Sequence, residues 1–356
     1  MVLRCKLILH TGFAALGIGA MALAGTPVRA AAPRVTATLG GAGSTFIAPL
    51  MTGQWIPDYT KAHAGVQISY AAGGSGAGLK SWIGGQADFA ASDAQLTAAQ
   101  EGSARRRCGA TAVKIPATIS AVALIYNVPG VRSGLKLSPA VVAGIFLGQI
   151  TSWNDAAIQR INPGVRLPHL AVKTVHRLGG SGTTFILTSY LADVNARWRG
   201  TVGAKPEVNW PTGSGVKGSA GVVQNVSVTL GAVGYVDLAY AIQDTLDYAR
   251  IQNAAGLFVT PNVDAASSAA DSEASSMPRD LQQVIVNAPA PGAYPITGYS
   301  YIMLCSRQTG AKGQALVDFV RYAVTTGQTQ VKKLHYAPLP PSVQRLDTAA
   351  LDHISS

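Results

Sequence analysis

The sequence predicts an α/β fold. Three times a short apolar run stops at a glycine/hydroxyl cluster and gives way to an amphipathic stretch: Gly41-Ala42-Gly43-Ser44-Thr45-Phe46, Gly73-Gly74-Ser75-Gly76-Ala77-Gly78 and Gly179-Gly180-Ser181-Gly182-Thr183-Thr184. Each is a strand, a loop and a helix in succession, and such alternation builds parallel sheets with ligand-binding loops at the carboxyl ends of the strands. The 356 residues suffice for about two domains, and 48% apolar with 7% aromatic residues suits ordinary α/β packing rather than a disordered or fibrous chain.

Residues 1–30 have the pattern of a secretory signal: Arg4 and Lys6, an apolar stretch from Phe13 to Ala24, then Val28-Arg29-Ala30 as a small-residue cleavage site. Cleavage after Ala30 removes three basic residues and no acid, so the formal charge falls from +11 to +8. Val35, Ala37 and Leu39 then alternate as a strand, and Ile47, Leu50, Met51 and Trp55 follow at helical spacing. Val66, Ile68 and Tyr70 alternate before the second loop; Leu79, Trp82 and Ile83 make a helical stripe after it. Arg105-Arg106-Arg107 reads as a solvated loop. Ala121 to Tyr126 is a buried strand and marks the crossing into a second domain. Val172, Thr174 and His176 form the third strand, with Phe185, Ile186, Ser189 and Tyr190 on the helix beyond its loop. Gly231 to Val236 and Pro295 to Leu304 give two more strands, the last carrying the return crossing. Ala265 to Ser276 reads as an exposed helix or loop. Leu316, Phe319, Val320 and Ala323 make a helical stripe stopped by Gly327, and Val343, Leu346 and Ala350 suggest a last helix. Cys108 and Cys305 can pair in an oxidising compartment, and a buried free thiol at Cys305 suits the sequence equally well.

Glycine/hydroxyl loops at helix starts suit an anion, because bare backbone approaches closely and the first amides of a helix have no partner of their own. One such loop is an ordinary turn; three, with Asp93 and Arg177 at strand ends, predict one oxyanion site built from distant segments. The Arg177 guanidinium can make two parallel bonds to a tetrahedral oxyanion. A carboxylate at Asp93 repels an anion unless that anion still carries a proton to donate. Phosphate does so at neutral pH and sulfate does not, so a single acceptor among donors discriminates between them.

With these residues the sequence resembles the periplasmic phosphate-binding proteins of the bacterial Pst phosphate ABC transporter. The resemblance covers nearly the whole mature chain: the first loop, Asp88-Phe89-Ala90-Ala91-Ser92-Asp93, Arg177 with Gly180-Ser181-Gly182-Thr183-Thr184-Phe185, Thr188-Ser189-Tyr190-Leu191, Gly234-Tyr235-Val236 and Tyr294-Pro295-Ile296-Thr297. It implies a two-domain type II periplasmic-binding-protein fold that closes over phosphate in its interdomain cleft and hands it to a membrane permease. The implied domains are residues 31–120 with 299–356, and residues 121–298. The implied phosphate donors are Thr45, the Phe46 amide, Ser75, Arg177, Ser181, the Gly182 amide and Thr183, with Asp93 as proton acceptor and Ser44 a weaker candidate. The sequence departs from the family at Gly179, where an aspartate that pairs with the arginine is common. Arg177 is therefore less neutralised, and anion affinity should depend more on salt.

Other classes fit less well. Neither Ser75 nor Ser181 completes a G-x-S-x-G nucleophile elbow, no GK[ST] loop exists for a nucleotide, and neither histidines nor carboxylates cluster for a metal. His176 neighbours Arg177 but points to the opposite face of its strand. A phosphoester hydrolase is thus a weaker reading than a binder, and no cofactor is expected. No basic stripe with interleaved aromatics suggests nucleic acid, and the expected protein is a monomer whose partners are phosphate and the permease. A related oxyanion such as arsenate, phosphite or a phosphonate is the alternative ligand.

Overall fold

The computed structural model describes residues 35–355, and the expected signal segment lies outside them. Strand β1 (Ala37–Gly43) runs further than the pattern suggests, through the first two glycines of its loop. The reason is a close approach: a Cβ on Gly41 would sit 2.1 Å from the Phe89 ring, so only glycine lets that ring cover the strand. After the turn, α1 (Ala48–Leu50), a π-helical turn (Met51–Trp55) and α2 (Ile56–Ala62) follow one another and bury Leu50, Met51, Trp55 and Tyr59. The second unit is β2 (Val66–Ala71) and α3 (Ser75–Ile83), followed by β3 (Phe89–Ser92).

Helix α4 (Ala98–Cys108) begins at a reciprocal cap between Thr97 and Gln100. Its last turn holds the three arginines expected in a loop, and their charge suits the negative end of the helix dipole. Arg107 is anchored rather than solvated: it donates to the carbonyls of Trp82 and Ala87 and lies over the Trp82 ring. Cys108 ends α4 and is disulfide-bonded to Cys305, which settles the question the sequence leaves open.

Strand β4 (Ala112–Tyr126) is fifteen residues long and buried almost throughout. Beyond it lie β5 (Lys136–Leu137), α5 (Pro139–Phe146) and α6 (Ala156–Ile161), then the third unit, β6 (Lys173–Arg177) with α7 (Gly182–Val194) and α8 (Ala196–Thr201). Two further strand-to-helix steps follow, β7 (Ser214–Val216) to α9 (Gly218–Val228) and β8 (Ala232–Asp237) to α10 (Leu238–Gln243). After the short β9 (Asp247–Tyr248), β10 (Arg250–Gln252) and β11 (Phe258–Val259), the Ala/Ser patch becomes α11 (Val263–Glu273) and a 3-10 turn. It is not simply exposed, because Ala265, Ala266, Ala269 and Ala270 form a buried face. The chain closes with β12 (Thr297–Cys305), α12 (Gly310–Val324) and α13 (Pro341–Asp352). In α13 the stripe is rotated from the expected one: Leu346 is exposed, while Val343, Asp347 and Leu351 face inward.

Nine strands form one sheet in the order β2-β1-β3-β12-β4-β8-β6-β7, with β9 also pairing to β4. Strands β1, β2 and β3 are mutually parallel, as are β6, β7 and β8, and the antiparallel β12 and β4 lie between the two groups. Strand β4 changes partner midway: Ala121 still pairs with Thr297 of β12, and Val122 pairs with Asp237 of β8. Among the described residues no helix is long and apolar enough to cross a membrane.

Candidate functional site

The carboxyl ends of both parallel groups converge on one buried cluster. Ser44 and Thr45 follow β1, Ser75 follows β2, Asp93 follows β3, Arg177 ends β6, Ser181 to Thr183 open α7, and Ser219 follows β7. Loops beyond the carboxyl ends of parallel strands are where α/β proteins bind ligands. Thr45, Ser75, Asp93, Arg177, Ser181 and Thr183 are all buried, none more than 8% exposed.

Asp93 is the acceptor centre. Ser44 Oγ donates to its Oδ2 at 2.6 Å, Ser300 Oγ to its Oδ1 at 2.6 Å, and Ser75 Oγ to Oδ2 at 3.4 Å. Burial pushes its carboxyl up from 3.8 to about 6, against the pull of these hydroxyls and of Arg177. Gly182 must be bare for this packing, since a Cβ there would meet Asp93 Oδ2 at 2.4 Å.

Arg177 is the donor centre. Its Nη1 donates to Thr45 Oγ1 at 3.1 Å and Ser219 Oγ at 3.4 Å, and these two oxygens lie 2.9 Å apart. Its Nε is buried with no partner, as is Thr183 Oγ1. Among the described residues no carboxylate forms an ion pair with it. Desolvation lowers its pKa, and Asp93 and two tyrosines partly offset that. Buried donors without acceptors are costly, so both groups favour an anionic or strongly accepting ligand. Gly179 has φ +70° with open space around it, and Asp is among the residues that tolerate such a conformation.

The other expected residues complete the cluster. Ser75 Oγ accepts from the Gly182 amide at 3.1 Å, Ser181 caps α7 through Thr184 N–H at 3.3 Å, and the Phe46 amide donates to Ser44 Oγ at 2.9 Å. Ser44 therefore acts as the link between the first loop and Asp93, a larger part than the sequence suggests.

Several members escaped the sequence reading. Three tyrosines each hold one of three consecutive carbonyls in the first loop: Tyr70 OH on Ser44, Tyr240 OH on Thr45 and Tyr336 OH on Phe46, at 2.8, 3.0 and 2.6 Å. Pinning those carbonyls fixes the directions of the loop amides. Tyr235 OH accepts the Arg177 amide at 3.1 Å and pairs with Thr184 Oγ1 at 2.6 Å. Ser219 carried a readable signal, because Gly218-Ser219-Ala220-Gly221 after a strand repeats the loop pattern a fourth time. Ser300 carried none; it is one of several hydroxyls in its strand, beside Thr297, Tyr299 and Tyr301. His176 stacks on Trp210 with centroids 4.9 Å apart and does not enter the cluster. Among the described residues no group of three or more His, Cys, Asp or Glu is placed to hold a metal.

The sequence matches the PBP superfamily domain over residues 28–326. It is 40% identical over 308 residues to the phosphate-binding protein PstS of Xylella fastidiosa, covering 86% of this chain and 82% of that one. The chain belongs to the PstS family of phosphate-binding proteins. A PstS of the archaeon Methanocaldococcus jannaschii is 36% identical over 327 residues, with 85% of this chain and 82% of that one covered. In three dimensions the PstS-family chain resembles the phosphate-binding protein of Stenotrophomonas maltophilia, with a TM-score of 0.65 at 20% identity over 88% of this chain and 93% of that one. That likeness establishes the type II periplasmic-binding-protein fold.

Proposed function

We propose that the protein binds inorganic phosphate in the periplasm and delivers it to a membrane ABC permease for import. Thr45, the Phe46 amide, Ser75, Arg177, Ser181, the Gly182 amide and Thr183 donate to the phosphate oxygens, and Asp93 accepts its proton. The observation that carries this reading is the pairing of a buried acceptor, Asp93, with a buried arginine that, among the described residues, has no carboxylate in an ion pair with it, inside a ring of hydroxyls and helix-start amides. The family membership supports it.

The two lobes are residues 31–120 with 299–356, and residues 121–298. The donors divide between them, so a bound anion favours the closed state through contacts on both sides. Phosphate entry exchanges the bonds that now join the donors to one another for bonds to its oxygens. The protein acts as a binder rather than an enzyme: among the described residues neither Ser75 nor Ser181 has a histidine bonded to its hydroxyl to activate it. It works as an exported monomer.

Competition calorimetry on refolded, ligand-stripped protein tests this. One phosphate per chain, undisturbed by excess sulfate, is the expected result; stronger binding of arsenate, phosphite or a phosphonate would reassign the ligand. Phosphatase activity lost in Ser181→Ala would overturn the binder.

A further inference from the structure

We infer that a backbone contact between Gly76 and Gly180 is the closure latch of the site, and that both positions stay bare so the lobes can reach each other. The inference rests on the two-lobe phosphate-binding reading. Gly76 lies in the first turn of α3, on the first lobe, and Gly180 precedes α7, on the second. The Gly76 amide donates to the Gly180 carbonyl at 2.9 Å. That amide is one of those a helix start leaves free for an anion, and here the opposite lobe uses it.

Space, not backbone conformation, requires glycine at both positions. Neither residue has a positive φ, unlike their neighbours Gly74 at +99° and Gly179 at +70°. A Cβ on Gly76 would stand 2.9 Å from Gly180 Cα and 3.1 Å from its carbonyl oxygen, against backbone that cannot swing aside. A Cβ on Gly180 would meet Gly76 Cα at 3.1 Å, a milder clash. Both residues are half-buried, Gly76 between buried Ser75 and exposed Ala77 and Gly180 between exposed Gly179 and buried Ser181, so the contact lies at the rim of the site. Just inside it, the Gly182 amide on Ser75 Oγ makes a second bond between the same segments.

Neither the Gly76 amide nor the Gly180 carbonyl belongs to the proposed phosphate donors. The latch therefore governs how long the lobes stay shut, not which anion they accept. A variant that cannot bring the two backbones together populates the closed form less, and its apparent affinity falls by that fraction.

The test compares wild type, Gly76→Ala, Gly180→Ala and, as a control on exposed open surface, Gly200→Ala. Calorimetry with inorganic phosphate, stopped-flow dissociation and small-angle scattering with and without phosphate are the readouts. Gly76→Ala should weaken phosphate binding about tenfold or more, mainly through faster dissociation, and should scatter as a more open particle. Gly180→Ala should show a smaller loss in the same direction and carries the test if Gly76→Ala does not fold. Gly200→Ala should match wild type, and all variants should still reject sulfate. Wild-type dissociation rates and scattering in folded Gly76→Ala and Gly180→Ala would overturn the latch, as would sulfate binding by either. If wild type itself fails to bind phosphate, the proposed function falls first; the latch then falls too if ligand-free wild type and variants scatter alike.

Discussion

Asp93 shows how one side chain can set the choice of anion. Its carboxylate already accepts hydroxyls from Ser44, Ser75 and Ser300, so any further partner must also bring a hydrogen. Its raised pKa, about 6, adds a pH condition. Above that value the group is an acceptor and a fully deprotonated oxyanion meets repulsion; below it the group holds a proton and can donate. Sulfate should therefore compete with phosphate at pH 5 and not at pH 8, and Asp93→Asn should bind sulfate at both. Isothermal competition across that range decides it, and sulfate rejection retained by Asp93→Asn would remove Asp93 from the selectivity account. At this scale Asp93 and Arg177 were legible as charged residues at strand ends beside glycine/hydroxyl loops, and the structure buries both in one cluster. Ser219 was legible too, as a fourth glycine/hydroxyl loop, but was overlooked; Ser300 and the three tyrosines were not, since their roles depend on long-range packing that brings together positions as distant as Phe46 and Tyr336.

The elements most visible in the sequence were those beside a glycine/hydroxyl loop. All three strand-loop-helix units were readable from alternation followed by helical spacing. Strand β4 was read only from Ala121, although it starts at Ala112. Pro116 is the reason: proline cannot donate to a ladder and argues against a central strand. Here the register shifts beside it, with Tyr301 opposite Pro116 and Ser300 opposite Thr118, and the irregularity accommodates the missing donor. The arginines of α4 were misplaced for a similar reason, because a polar run shows no hydrophobic period even when it ends a helix. The disulfide between the last residues of α4 and β12 joins positions 197 apart in sequence. Its removal in the Cys108→Ser, Cys305→Ser double variant should cost about 2–4 kcal/mol of stability, measured by urea denaturation, with the same loss in reduced wild type.

The whole molecule adds a field to these local contacts. The mature chain is expected to carry +8, and among the described residues no carboxylate forms an ion pair with Arg177. An anion is then attracted by a charge that Asp93 only partly offsets, and added salt weakens that attraction. The phosphate dissociation constant should rise with ionic strength, and Gly179→Asp should flatten the dependence. Identical salt dependence in the two proteins would show that position 179 has no electrostatic part. The fold class was legible because it follows from the order of strands and helices. The continuous nine-stranded sheet was not, because nothing local says that β12 inserts between β3 and β4.

That insertion dictates an order of assembly. Strands β3 and β4 follow one another in the chain, yet neither can be joined to the other until β12 arrives, and β12 ends only at Cys305. A chain emerging from its amino end thus keeps one edge of each strand without its final partner until Cys305 has been made. The anion site shares that dependence, because Ser300 on β12 is one of the hydroxyls that hold Asp93.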